Sequence, residues 1–169
     1  MKLSSTVKKI LFFIFAILTI SVNFVLINQV EERQNYEKSA SPETLFLVTR
    51  VIDGDTVELE NGDRVRYLAI DAPELGDQNQ CYSVEARTRN ESLVLGRKIR
   101  LEYGKERLDK YGRVLAYVWS DGSMVNLELV REGFAKADTY LSQGVYDGQI
   151  VEAESKAREN LLGLWGSCF

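Results

Sequence analysis

The sequence predicts an α+β domain dominated by a five-stranded β-barrel with three helices, preceded by an N-terminal membrane-spanning helix. Three observations predict it. Short β-branched or alternating runs, broken by turn pairs, fill the stretch from Leu45 to Ile70 and recur at Ile99–Tyr103 and Val114–Trp119. Helical spacing appears once between the third and fourth of these runs and twice after the fifth. A long, mostly apolar segment lies behind a lysine-bearing N-terminus.

That apolar segment runs from Ile10 to Ile27, interrupted only by Thr19, Ser21 and Asn23, and follows Lys2, Lys8 and Lys9. Its length falls within the roughly 17–25 residues that cross a bilayer as a helix. The lysines orient the N-terminus to the cytoplasm and the remainder outward. A cleaved signal peptide is the alternative, leaving a secreted protein, but its apolar region usually spans only about 7–15 residues. The nearest small-residue cluster, Ser39-Ala40-Ser41, lies well beyond the run. The reading is therefore a cytoplasmic stub and signal anchor at 1–28, a polar tether at 29–43, and a folded extracytoplasmic domain at 44–169.

Composition narrows the chemistry. The 169-residue chain carries a net charge of −4, and without the three anchor lysines 18 basic residues face 25 acidic ones. No global positive field attracts nucleic acid, so any phosphate recognition is local. The absence of histidine excludes imidazole bases, Ser-His-Asp triads and His-ligated zinc. Two cysteines, Cys81 and Cys168, are too few for a thiolate metal cage. On the outer face of a membrane they form one disulfide that clamps the C-terminus to the middle of the domain; otherwise they are two free thiols.

The elements run in order along the chain. Leu45 to Ile52 is mostly apolar and β-branched, a strand. Thr56 to Glu60 alternates, so one face is buried. Asn61-Gly62 supplies a two-residue type I′ turn. Arg64 to Ile70 returns as the third strand, and Pro73, which has no N–H to donate, ends it. Val84 to Leu95 reads as a helix stopped by Gly96. Ile99–Tyr103 and Val114–Trp119 are two more strands around a charged loop, Gly104 to Arg113. Met124 to Glu132 is a short helix ended by Gly133. Ile150, Ala153, Ala157 and Leu161 share one face of a last helix closed by Gly163. Early hairpin strands with an interposed helix suit a Greek-key barrel of the OB type, although periodicity alone leaves another small α+β sheet open.

The candidate chemistry lies in carboxylates. Asp55 opens the second strand and Asp71 closes the third, near the same end of an antiparallel pair. A strict two-residue turn sets Asp55 opposite Leu68, three residues short of Asp71, so a bulge or looser turn is needed to join them. Two neighbouring carboxylates repel unless a cation or proton intervenes, and a hard divalent ion is the natural partner. Alone, Asp53-Gly54 is an ordinary turn pair and Asp71-x-Pro73-Glu74 a solvated strand end. Arg66 and Arg113 add planar donor forks that match phosphate oxygens. Residues five apart on a regular strand point to opposite faces, so Arg66 and Asp71 share a site only if the strand bends.

Val51-Ile52-Asp53-Gly54-Asp55-Thr56-Val57, Arg66 with Ile70-Asp71-Ala72-Pro73-Glu74, and Asp109-Lys110-Tyr111-Gly112-Arg113 with Leu115-Ala116-Tyr117 stand in that order. With Met124-Val125-Asn126 and Leu129-Val130, they resemble the staphylococcal (micrococcal) nuclease, or thermonuclease, family from about Leu47 to Trp165. The resemblance implies an OB-fold, calcium-dependent endonuclease acting on DNA and RNA. It implies calcium bound by the carboxylates of Asp55 and Asp71 and the carbonyl of Ala72. It further implies Glu74 as general base on a calcium-associated water, and Arg66 and Arg113 as holders of the phosphate. Lys110 and Tyr111 match substrate-contact positions. Cleavage in that family breaks the bond to the 5′ oxygen and leaves 3′-phosphate ends.

The residues lead to the same chemistry. A phosphodiester needs its charge neutralised, a water deprotonated and its leaving group stabilised. Without histidine, Glu74 is the available base. The expected protein is a monomer with a nucleic-acid substrate. Rival readings are a non-catalytic OB-fold module binding nucleic acid or protein at the cell surface, and a disulfide-clamped structural domain.

Overall fold

The computed structural model describes residues 44–76, 78–138, 144 and 146–168. The expected membrane helix at 1–28 and tether at 29–43 lie outside the described residues. Among the described residues no helix is long and apolar enough to cross a membrane.

Strand β1 (Leu45–Val51) pairs antiparallel with β2 (Thr56–Leu59), which pairs antiparallel with β3 (Arg64–Tyr67). On its other edge β1 pairs with β5 (Lys98–Leu108), and β5 with β6 (Val114–Ser120). A parallel pairing of β3 with β6, Val65 opposite Val114 and Tyr67 opposite Ala116, closes the five strands into a barrel. Closure removes the free edges that an open sheet of this size would expose. Three short strands complete the ladders. β7 (Ser123–Met124) pairs antiparallel with the end of β6, and β4 (Ile70–Asp71) pairs antiparallel with β8 (Lys136–Ala137).

Val48, Val57, Leu59, Val65, Ile99 and Val118 are buried in the core, as the alternation in β2 requires. Helix α1 (Ser83–Val94) turns Ala86, Asn90 and Val94 inward. Helix α2 (Val125–Arg131) packs against α3 (Asp147–Glu159), and a one-turn helix α4 (Leu164–Ser167) comes last. Gly133, at φ 78°, ends α2 as expected: its N–H donates to Val130 O and that of Phe134 to Leu129 O. The disulfide between Cys81 and Cys168 is present, with Cα atoms 5.8 Å apart.

Several boundaries differ from expectation. The first hairpin is closed by three residues, Glu60 to Gly62, because Leu59 N–H donates to Asp63 O and Gly62 sits at φ 85°. A left-handed glycine after a tight turn makes this a bulged loop and not a type I′ turn. The third strand does not run to Ile70. It breaks at Leu68-Ala69, where Ala69 adopts φ 63°. The expected loop from Gly104 is half strand, since β5 continues to Leu108 through an irregular register with β6. Met124 belongs to β7 instead of opening α2. Leu161 is exposed: α3 ends at Glu159 and Leu161 is the left-handed residue of its cap, at φ 52°. Leu164 and Trp165 fill the space beside Ala157.

Candidate active site

The site is built around the turn from β1 to β2. Asp53 accepts the Asp55 N–H at 3.0 Å through its own carboxylate, an Asx turn that aims the next side chain. Asn90 on α1 donates to Asp53 O at 3.1 Å and accepts from the Tyr67 hydroxyl at 3.0 Å. Gly54 fits only because it lacks a side chain: a Cβ there would stand 2.5 Å from that of Ala72 and 2.9 Å from that of Ala86. The turn is thus pinned between α1 and the chain leaving β4.

Asp55 is buried, 2 % exposed. Its Oδ1 accepts from the Thr56 hydroxyl at 3.1 Å and its Oδ2 from Ala72 N–H at 2.6 Å. The same Oδ2 forms an ion pair with Arg66 Nη1. Arg66 is itself buried and reaches a second carboxylate, donating from Nη2 to Asp71 Oδ1 at 3.0 Å. One guanidinium therefore bridges Asp55 and Asp71. Two acids sixteen positions apart in sequence share this guanidinium because the chain bends between Arg66 and Asp71. Asn126 holds that bend, donating to Leu68 O at 2.9 Å while its Oδ1 accepts Val118 N–H at 2.8 Å. Asp138 N–H binds Ala69 O at 2.9 Å, and β8 captures Ile70 and Asp71. Asp71 stays half exposed, so the site opens to solvent on that side.

Burial pushes the Asp55 carboxyl up to about 7 against the pull of Arg66. Arg66 is held in its charged form: burial works against the charge, and Asp55 and Asp71 outweigh it. Glu74 stands two residues beyond Ala72. Partial burial raises its pKa, Asp53 and Asp71 raise it further, and Arg66 and Arg113 oppose them. Both arginines therefore act on the same carboxylate across space. That carboxylate takes no hydrogen bond from the described residues, which leaves it open to solvent or substrate.

Arg113 comes from the far hairpin. Its main-chain N–H and its Nε donate to the two oxygens of Asp109, at 2.9 and 2.7 Å. Asp109 also accepts Tyr111 N–H at 2.9 Å, so one carboxylate shapes the whole tip. Lys110 and Tyr111 project from that tip. The Lys110 ammonium lies 4.9 Å from the Tyr111 ring centre, and Tyr111 is 72 % exposed. Among the described residues neither touches the carboxylate cluster, unlike Arg66, which is in it.

Sequence reading missed the supporting roles of Asn90, Asn126 and Asp109. Asn90 and Asn126 had one legible signal, a polar side chain on the inward face of a helix. Asp109 stands inside the quoted Asp109-to-Arg113 segment, but nothing in its spacing distinguishes a turn former from a guanidinium clamp.

The donor set suits a hard cation. Asp55, Asp71 and the Ala72 carbonyl offer oxygen alone, and the buried Asp55 is a carboxylate that a cation would relieve of its burial cost. Among the described residues no three Asp, Glu, His or Cys side chains are placed to hold one metal ion, so water and substrate would complete the coordination.

Two guanidinium groups that act on carboxylates at one end of a closed barrel suit the binding of a phosphate ester. Residues 64–167 match the model of the staphylococcal nuclease homologue family. The chain belongs to that family, which places it among the nucleases, enzymes of the hydrolase class. It is 40 % identical over 148 residues to the endonuclease YncB of Bacillus subtilis, covering 82 % of this chain and 70 % of that one. It is 38 % identical over 126 residues to the thermonuclease of Staphylococcus intermedius, covering 71 % and 75 %. With the thermonuclease of Staphylococcus hyicus it shares 35 % over 135 residues, covering 76 % and 80 %.

Proposed function

We propose that this protein is a calcium-dependent endonuclease that hydrolyses phosphodiester bonds of DNA and RNA outside the cytoplasm. Residues 1–28 anchor it in the membrane, residues 29–43 tether it, and the nuclease domain acts as a monomer. If the N-terminal segment is cleaved, the same domain is secreted.

The observation that carries the reading is the bridging of Asp55 and Asp71 by Arg66, with Glu74 under the joint influence of Arg66 and Arg113. Calcium held by Asp55, Asp71 and the Ala72 carbonyl would neutralise phosphate charge when bound. Arg66 and Arg113 bind the phosphate oxygens and stabilise the charge that gathers on them. Glu74 takes the proton from the attacking water. Partial burial, with Asp53 and Asp71 nearby, raises its pKa and so makes it a stronger base than an ordinary glutamate. Lys110 and Tyr111 line the approach of the strand from the hairpin tip. The bond to the 5′ oxygen breaks, leaving a 3′-phosphate.

The test is digestion of single-stranded DNA by residues 30–169, with calcium and with chelator. Expected is cleavage that needs calcium and falls about 10²- to 10⁴-fold in Glu74→Gln, the usual range for removing a general base. Arg113→Ala falls comparably. Cleavage indifferent to chelator would refute the metal, and binding without cleavage would point to a non-catalytic module.

A further inference from the structure

We infer that Gln80 is a positioning residue for Glu74, and that the Cys81–Cys168 disulfide fixes the point from which Gln80 acts. The inference rests on the reading of Glu74 as general base.

Glu74 and Gln80 exchange two hydrogen bonds. The Glu74 N–H donates to Gln80 Oε1 at 3.1 Å, and the Gln80 N–H donates to Glu74 O at 3.1 Å. Between them Gly76 N–H donates to Asn79 Oδ1 at 3.2 Å. Pro73 has no N–H with which to anchor the preceding peptide. The main chain of Glu74 is therefore held at two places: at Ala72, through Asp55, and at Gln80. The first hold belongs to the proposed metal and phosphate site. The second lies outside that site, and Gln80 is exposed, so core packing does not account for it.

Gln80 would swing with its loop unless fixed in turn. Its carbonyl accepts Ser83 N–H at 3.1 Å, which joins it to the first turn of α1. The next residue is Cys81, covalently joined to Cys168 across 87 residues of sequence. Cys168 closes α4, whose Leu164 and Trp165 pack with Ala157 of α3. Tyr82, at φ 71°, stacks on Phe134 with ring centres 5.4 Å apart. The loop carrying the base thus ends on a crosslink to the C-terminal helices. A base misplaced by about 1 Å costs on the order of 10²-fold in rate, so this second hold bears directly on catalysis.

The test uses the full chain, with kcat and KM measured on single-stranded DNA in calcium, and folding checked on the same samples by thermal unfolding. Gln80→Ala removes the acceptor for Glu74 N–H and is expected to lower kcat about tenfold or more with KM nearly unchanged. Gln80→Glu keeps an acceptor oxygen and is expected to restore most of kcat. Cys81→Ala with Cys168→Ala is expected to lower kcat in the same way, measured well below its unfolding midpoint. An unchanged kcat in Gln80→Ala, a loss confined to KM, or no rescue by Gln80→Glu would overturn the role of Gln80. Full kcat in the folded double cysteine variant would overturn that of the disulfide. If Glu74→Gln retains full kcat in the same assay, the assignment of the base fails instead, whatever Gln80 does.

Discussion

Arg113 donates both its main-chain N–H and its Nε to the carboxylate of Asp109, at 2.9 and 2.7 Å. A single acid thereby sets the backbone and the guanidinium of a residue at the tip of an exposed hairpin. Asp109→Ala should lower kcat about tenfold or more, because Arg113 loses its orientation without losing its charge. Asp109 is also held below the ordinary carboxylate range. Burial pulls it up, but hydrogen bonds from Arg113 and Tyr111 pull it down more. A depressed acid contributes stability that is present above its unfolded pKa and lost as pH falls through its folded one. Wild type should therefore keep this stabilisation until the pH falls below the ordinary Asp range, and Asp109→Ala should lose stability most where the carboxylate is ionised. Denaturant unfolding of both proteins at neutral and at strongly acid pH checks this: an equal loss at both would contradict it.

Arg66 is the only cation among the described residues that pairs with the buried Asp55. Arg66→Met should destabilise the fold by about 3–5 kcal/mol near pH 8, the usual cost of stranding a buried charge. Asp55→Asn introduced together with Arg66→Met should recover part of that loss, since the stranded charge is gone. Denaturant unfolding of the two single variants and the double variant measures the coupling; strictly additive losses would show that the pair is not coupled.

Asp55 gives the opposite pH signature to Asp109. Its folded pKa of about 7 lies above the ordinary 3.8 because of burial, opposed by Arg66. The folded protein therefore binds the extra proton between those values, and metal-free stability should fall as pH rises from about 4 to 7. Calcium requires the deprotonated form. Its stabilising effect on thermal unfolding should be small at pH 5 and grow through pH 8. A calcium-induced shift of equal size at both would contradict the placement of Asp55 in the cation site.

Gly54 is enclosed by Ala72 and Ala86, with 2.5 and 2.9 Å available to any added Cβ. Gly54→Ala should cost about 1–3 kcal/mol through overpacking. Because Ala72 is next to Asp71, activity should fall further than stability predicts. Calorimetry and kcat on the same preparation separate the two effects, and a variant as stable and active as wild type would refute the close packing.

By itself the sequence determined the barrel class and most of its punctuation. Val57 and Leu59 alternate because one face of β2 meets the core, and Gly96 and Gly133 end helices where a left-handed residue is needed. These are local demands, and local demands are written in spacing and residue type. It also brought together the candidate residues of the site through a resemblance that spans separate segments. Only the tertiary structure decided how Arg66 and Asp71 come to share a partner. On an unbroken strand they face opposite ways. They meet because Ala69 turns the chain, Asn126 holds the turn from another helix, and β8 pairs with Ile70 and Asp71. Those contacts join residues tens of positions apart. No local period encodes them, so neither the bend nor the bridging of two acids by one arginine exists until the barrel closes.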